Sequence, residues 1–243
     1  MKIIKLDATD STNDFLMGLV RNQIVDNFTV VCTSNQKNGR GQMGAKWYSE
    51  SGKNITMSVL VKDLLEEIAQ IYVLNIAVAL AILEVLKSYN VANLSIKWPN
   101  DIMAGSKKIG GILMENSIKA DRKIESVVGI GLNINQINFE GLPSATSMAL
   151  ELSKQIDLEQ LMIQIVDEIK INYQKIIDKM YDHLWQLYHK NLFKINLIMT
   201  FERANNESFA AVVKGVTKIG QLELLLDCGE VQFFDVKEIR MLF

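Results

Sequence analysis

Gly39-Arg40-Gly41-Gln42-Met43-Gly44, followed beyond Trp47 by Ser49-Glu50-Ser51-Gly52-Lys53-Asn54, is the stretch on which the fold turns. Its first six residues satisfy G-x-G-x-x-G behind a strand-like run at residues 28–33, so a dinucleotide-binding Rossmann unit is the first candidate. That unit needs a helix to open at once, because the helix N-terminus holds the pyrophosphate. Here the glycines lead into turn chemistry and then into a β-branched run at residues 55–61. The loop therefore joins strand to strand, and the Rossmann candidate falls. What remains is a polar loop whose glycines admit a ligand to the backbone and whose Arg40 offers a fork of donors for phosphate or carboxylate. A solvated strand connection explains an isolated Gly-Arg-Gly triplet equally well.

Outward from the loop, residues 3–6 alternate like a short strand, and Asp10-Ser11-Thr12-Asn13-Asp14 caps a helix running to about residue 21. Residues 64–89 carry helical spacing with small residues at Ala77, Ala79 and Ala81, as a core helix packed on a sheet requires. Strands follow at 94–98, stopped by Pro99, at 102–104, at 109–115 beyond a Gly105-Ser106 turn, and at 124–130. Residues 158–192 read as helix without glycine or proline. Beyond a composition shift near Asn191, runs at 209–213, 222–226 and 231–234, punctuated by Gly215, Gly220 and Gly229, suit a small β-barrel of roughly 50 residues.

Composition narrows the function classes. With 49% hydrophobic and 22% charged residues in 243, the chain can bury a full core, as one large domain plus a small one. A net charge of -2 with interspersed signs gives no basic stripe for nucleic acid or anionic membrane, so neither is an expected partner. Two cysteines make no disulfide framework, and the N-terminus lacks a signal-peptide core, so the expected compartment is the cytoplasm. The apolar run at residues 74–83 is too short to cross a bilayer. His183 and His189 sit in a helical stretch without a metal-ligand pattern and are read as surface or packing residues.

Five separated segments change the weight of the loop: Asp10-Ser11-Thr12-Asn13; Gln36 with Gly39-Arg40-Gly41 and Trp47; Lys97-Trp98-Pro99-Asn100-Asp101; Lys107-Lys108-Ile109-Gly110-Gly111-Ile112-Leu113; and Gly129-Ile130-Gly131-Leu132-Asn133. In order and spacing they resemble the biotin-protein ligases, strongly over residues 6–133 and again around 215–239. The resemblance implies an α+β fold akin to class II aminoacyl-tRNA synthetases, a mixed sheet flanked by helices, with a catalytic domain at 1–191 and a small SH3-like β-barrel at 192–243. It also implies a two-step reaction. Biotin carboxylate attacks the α-phosphate of ATP to form biotinyl-5′-AMP, and a lysine of a biotin carboxyl carrier protein domain then takes the biotinyl group.

By the same resemblance, Arg40, Lys108 and Asp101 are the catalytic candidates. Biotin contacts are expected at Ser11, Thr12, Asn13, Gln36, Gly39, Arg40, Gly41, Lys108, Gly111, Gly129 and Gly131. Nucleotide contacts are expected at Arg40, Gln42, Met43, Trp47, Asn100, Lys108 and Asn133. Mg²⁺ comes with ATP rather than in a dedicated metal site, and the enzyme is a monomer or a homodimer. The chemistry fits these types: two anions meet when a carboxylate approaches a phosphate, so preorganised cations are needed where charge develops. Read alone, Lys108 is a solvated hairpin charge, Ser11 and Thr12 with Asp14 are a helix cap, and Trp47 is ordinary packing. Asp101 could orient Arg40, help bind Mg²⁺ or steer the incoming lysine. Lys237 or Arg240 could reach the nucleotide from the barrel, or simply alternate on a solvent face.

Two departures from the family are visible. Gln42, Met43 and Ala45 stand where many members carry further arginines, which implies weaker retention of the adenylate. There is no room ahead of Lys2 for the winged helix-turn-helix that makes some members repressors, so no operator binding is expected. The rivals are a lipoate- or octanoyl-protein ligase of the same superfamily, whose pocket would take a linear chain, and a non-catalytic biotin- or nucleotide-binding module.

Overall fold

Mostly buried runs at residues 55–61 and 124–132 build the central layer. The computed structural model describes residues 1–65, 69–118 and 124–243, leaving aside the side chains of 43, 63–65 and 69. Seven strands form one mixed sheet: β1 (Ile3–Thr9), β2 (Val30–Gln36), β3 (Ile55–Leu65), β4 (Leu94–Lys97), β5 (Asp101–Ala104), β6 (Lys107–Ile118) and β7 (Ile124–Leu132), in the order β1-β2-β3-β7-β6-β5-β4. The β1–β2 pair is parallel and the other pairs are antiparallel. Parallel pairing requires a crossover, which helix α1 (Thr12–Asn22) supplies from its Ser11 cap. The edge at β4 is covered by residues 191–193, whose backbone bonds Ile96 on both its N–H and its C=O.

Helix α2 (Ala69–Ser88) lies in the core with α4 (Leu158–Ile177) against it, and Asn172 donates to the Ala77 carbonyl between them. Two sequence expectations are corrected here. Residues 64 and 65 belong to β3, the next three lie outside the described residues, and α2 opens at Ala69. Moreover α2 is long and apolar enough to cross a bilayer, the one such helix among the described residues; its burial, not shortness, marks it as a core helix.

The stretch expected as one helix over 158–192 is two, α4 and α5 (Tyr181–Lys190), with the short α3 (Met148–Leu152) before them. Lys179, in the left-handed region at φ 57°, ends α4: Met180 N–H bonds the Lys175 carbonyl and Lys179 N–H bonds the Ile176 carbonyl. That pair of bonds is a Schellman cap, built here without glycine, at a cost of about 1 kcal/mol for the left-handed lysine.

The C-terminal residues form a five-stranded antiparallel sheet in the order β11-β10-β9-β8-β12, from β8 (Ile198–Arg203), β9 (Ser208–Val216), β10 (Leu222–Leu226), β11 (Val231–Phe234) and β12 (Ile239–Leu242). Its inner side chains Phe201, Val213, Leu224 and Phe234 join the same buried cluster as α2 and α5. Strands β8 and β12 have no counterpart among the sequence-read runs. In β8 only Phe201 is fully buried, so the hydrophobic alternation is weak.

Candidate active site

Register across the large sheet creates the site. Thr56 pairs with Gly131, Gly131 with Gly111, Gly111 with Asp101, and Asp101 with Lys97. Directly opposed residues share a face, so one row crosses five strands as hydroxyl, glycine, glycine, carboxylate and ammonium. A second row runs Ser58, Gly129, Leu113. All of these but buried Ser58 line one cavity of about 470 Å³, floored by the glycines and rimmed by residues 40–42 and 45–47, with the C-terminal sheet closing one side.

One end of the cavity is neutral and hydrogen-bonding. Gln36 Oε1 accepts from Thr12 N–H at 2.9 Å, and Ser58 Oγ lies 2.7 Å from Thr12 Oγ1 and 2.6 Å from Asn13 Oδ1. Ser58 has one hydrogen and Asn13 Oδ1 can only accept, so Ser58 donates to Asn13 and the Thr12 hydroxyl is left to donate. Asn13 Nδ2 in turn donates to Glu115 at 2.7 Å. The helix cap and the pocket are thus the same residues: Ser11 accepts from Asp14 N–H while lining the cavity.

The other end is cationic. Lys108 Nζ meets Asp101 at 2.6 Å and stands over the Trp47 ring, 5.7 Å from its centre. Lys97 Nζ is 3.7 Å from the same carboxylate. Burial pulls the Lys97 pKa below the ordinary lysine value, with Asp101 opposing and Lys108 adding to the effect. Arg40 stands back at the hydrogen-bonding end, held by Asp14 and, at 3.2 Å, by Glu115, the carboxylate to which Asn13 also donates. Asp101 therefore does not orient Arg40; of the three roles open from sequence, its contacts are with the two lysines.

The loop at 37–54 contains a 3-10 turn, Gln42–Gly44, and an antiparallel bridge between Arg40 and Lys46, and it runs from β2 to β3. No α-helix opens there, as the rejection of the Rossmann unit requires. Trp47 N–H bonds the Gly39 carbonyl at 2.9 Å, which folds the indole back over Gly131. Its Nε1 is buried with no hydrogen-bond partner among the described residues.

A family model described as the biotin/lipoate A/B protein ligase family matches residues 6–135. The chain belongs to this family. Among curated members of this ligase family, it is 32% identical over 154 residues to the bifunctional ligase/repressor BirA of Bacillus spizizenii, covering 63% of this chain and 46% of that one. It is 32% identical over 143 residues to the biotin–[acetyl-CoA-carboxylase] ligase of Mycobacterium tuberculosis, 58% of this chain and 52% of that one. The chain spans about half the length of the curated relatives it matches. In fold, it is similar to the biotin protein ligase of Aquifex aeolicus solved with biotin and ATP: TM-score 0.81, 23% identity, 99% of this chain and 98% of that one. The mixed sheet flanked by helices, with a small β unit after it, is thus the ligase-family fold.

Against that family pattern, the cavity gathers Ser11, Thr12, Asn13, Gln36, Arg40, Gly41, Gln42, Trp47, Asn100, Asp101, Lys108, Gly111, Gly129 and Gly131 from five segments. Gly39 lies behind the rim, where a Cβ would meet the Trp47 carbonyl oxygen and the Gln36 amide. Asn133 is buried outside the lining and donates to the Thr146 carbonyl at 3.0 Å, a bond that ties down the loop after β7. The Met43 side chain lies outside the described residues. Four residues with direct contacts in the site escaped the sequence reading: Ser58, Glu115, Lys97, and Asp14 in its role on Arg40. Lys97 was quoted in its motif but given no role. The one available signal was a serine inside the apolar run Ile55-Thr56-Met57-Ser58-Val59-Leu60.

Proposed function

We propose that the chain is an ATP-dependent biotin–protein ligase that makes biotinyl-5′-AMP and passes the biotinyl group to a lysine of a biotin carboxyl carrier domain. The observation that carries this proposal is a single cavity with a neutral hydrogen-bonding end and a cationic end, joined over a floor of glycines. A ureido ring presents donors and acceptors to Ser11, Thr12 and Gln36, whereas the dithiolane or alkyl chain of lipoate or octanoate would leave their remaining hydrogen-bonding capacity unmet. The carboxylate then extends toward Lys108, and Arg40 exchanges its Asp14 and Glu115 partners for the reacting anions. A carboxylate oxygen attacks the α-phosphorus, the bond to the β-phosphate oxygen breaks, and pyrophosphate leaves. Arg40 and Lys108 offset the charge that gathers as two anions meet. In the second half, a neutral carrier amine attacks the carbonyl of the mixed anhydride and AMP leaves.

Asp101 is the carboxylate nearest this path and is already paired with two ammonium groups. The described residues hold no cluster of three metal-ligating side chains, so Mg²⁺ is assigned to the triphosphate and water rather than to a protein cage. The division into a catalytic part at 1–191 and a β-barrel at 192–243 belongs to the same proposal, as do action in the cytoplasm and the carrier-protein partner.

The deciding experiment is exchange of labelled pyrophosphate into ATP, dependent on biotin and compared with lipoate, for wild type, Arg40→Ala and Lys108→Ala. Biotin-dependent exchange that falls at least about 100-fold in both variants is expected, since each removes charge-assisted bonds at the reacting centre. Exchange with lipoate and not biotin would establish the sister activity, and unchanged rates in both variants would return the chain to a binding module.

A further inference from the structure

The carboxylate of Glu115 stands behind the cavity wall rather than in it, where Asn13 Nδ2 donates to it at 2.7 Å and Arg40 lies 3.2 Å from both of its oxygens. Both neighbours are donors, and an ionised carboxylate only accepts, so all three are satisfied at once. The Asn13 amide has no freedom left. Its nitrogen also faces the Leu113 carbonyl at 3.3 Å, so two acceptors fix the nitrogen on that side and turn Oδ1 toward Ser58. Thr12, Asn13 and Ser58 are all buried, so each polar atom here needs a partner.

The direction of hydrogen bonding is then set link by link away from Glu115. Asn13 Oδ1 accepts the single Ser58 hydrogen at 2.6 Å. The 2.7 Å contact between the Ser58 and Thr12 hydroxyls needs one hydrogen, and Ser58 has none to spare, so Thr12 gives its own. The competing acceptor, Gln36 Oε1, is farther from that hydroxyl at 3.3 Å and already receives the Thr12 N–H at 2.9 Å. Thr12, which lines the cavity, therefore meets a ligand with lone pairs only.

We infer that Glu115 is a positioning residue that fixes the direction of this chain, and so makes the Thr12 hydroxyl an acceptor reserved for an N–H of the ligand's polar ring. The inference rests on the ligase reading, in which that N–H belongs to the ureido ring of biotin. Glutamine at position 115 would reverse the direction while keeping the side chain's shape. Its one oxygen goes to Arg40, because a bond to a charged partner is the stronger. Its amide nitrogen then faces Asn13, which turns over and donates to Ser58. Ser58 passes its hydrogen to Thr12, and the Thr12 hydrogen is freed to face the cavity. With Arg40→Ala beside it, the glutamine oxygen returns to Asn13 and the original direction is restored.

The test uses the full chain and calorimetric titration with biotin and with two cyclic-carbamate analogues, in each of which a ring oxygen replaces one ureido N–H. Wild type is compared with Glu115→Gln, Arg40→Ala, Ser58→Ala and the two pairs that combine Glu115→Gln with each of the others. An oxygen facing Thr12 sets lone pair against lone pair, so wild type should prefer biotin to one of the analogues by about 100-fold. In Glu115→Gln that preference should fall by about tenfold or more, chiefly because the analogue binds more tightly, a gain that loosened packing does not produce. Arg40→Ala and its pair with Glu115→Gln should both keep the wild-type preference. In Ser58→Ala, where the chain is cut, adding Glu115→Gln should change nothing. An unaltered preference in Glu115→Gln, equal weakening of biotin and analogue, or the same loss with and without Arg40 would each overturn the inference. Without ligand, NMR contacts from the Asn13 side-chain amide hydrogens to the Ser58 β hydrogens should be strong in Glu115→Gln and weak in wild type, and equal contacts would also overturn it. A wild type that binds no biotin would sink the ligase reading alone, since this ligand-free contrast still decides the direction of the chain.

Discussion

Gly131→Ala is the sharpest probe of how the sheet and the glycine loop meet. An alanine Cβ there would sit 2.6 Å from Cε2, 2.8 Å from Cζ2 and 3.0 Å from Nε1 of Trp47. Carbon atoms rest at about 3.5–4.0 Å, so something must move by roughly 1 Å. The strand cannot yield, because Gly131 is paired on both sides, with Thr56 of β3 and Gly111 of β6. The ring must yield, and with it the loop end held by the bond from Trp47 N–H to Gly39. Overpacking of this kind costs about 1–3 kcal/mol. If the Trp47 side of the cavity takes the nucleotide, as the ligase reading proposes, the cost should fall on ATP, raising its KM about 5- to 150-fold at 1.4 kcal/mol per decade. Biotin binding by calorimetry should change little, and the melting temperature should fall only modestly, since the loop rather than the core absorbs the strain. Gly129→Ala gives the complementary result: its Cβ would strike Asn13 Oδ1 at 2.5 Å, so biotin affinity should drop and ATP should be the lesser casualty. If Gly131→Ala and Gly129→Ala impair both ligands equally, or if Gly131→Ala leaves the ATP KM unchanged in a folded protein, the assignment of the two ends is wrong.

Ser58→Ala removes the fully buried hydroxyl between Thr12 and Asn13; leaving those groups short of a partner should cost about 1–3 kcal/mol in urea unfolding and weaken biotin binding together. Lys97 gives a pH signature. Its folded pKa lies below the ordinary lysine value, so between the two values the unfolded chain holds more protons and this group's contribution to stability rises with pH. The stability advantage of Lys97→Met over wild type, measured by denaturant melts, should therefore be fullest near neutrality and shrink as the pH climbs toward 10.5; an advantage that grows with pH would refute the burial argument. Gln42→Arg should slow release of the adenylate about tenfold by adding a charge-assisted contact at the rim, read by quenched-flow or filter retention; an unaltered off-rate would show that the loop's lost arginines are not what holds it.

Much of the fold was legible in the chain because it is written in local periodicity. The runs at 222–226 and 231–234 match β10 and β11, and the Ser11 cap opens α1 where the side-chain chemistry says it should. The failures have two causes: a helix cap built without its usual glycine, and features set by pairing or packing rather than by local pattern. The break at Lys179 carries neither glycine nor proline, and β8 and β12 alternate too weakly to be seen before they pair with each other. Asn133 stands in a recognisable motif yet turns its amide to Thr146 rather than into the cavity.

The sequence alone pointed to the family: a strand-to-strand glycine loop with one arginine, and four further motifs whose order resembles a single enzyme family. It could not say which of those residues share a face, because a strand alternates its side chains and only the pairing register decides which residues of neighbouring strands stand side by side. The tertiary structure made that choice. It set Thr56, Gly131, Gly111, Asp101 and Lys97 in one row, gave Arg40 to Asp14 and Glu115 instead of Asp101, and sent the Trp98 Nε1–H to the Gly220 carbonyl beside the small sheet.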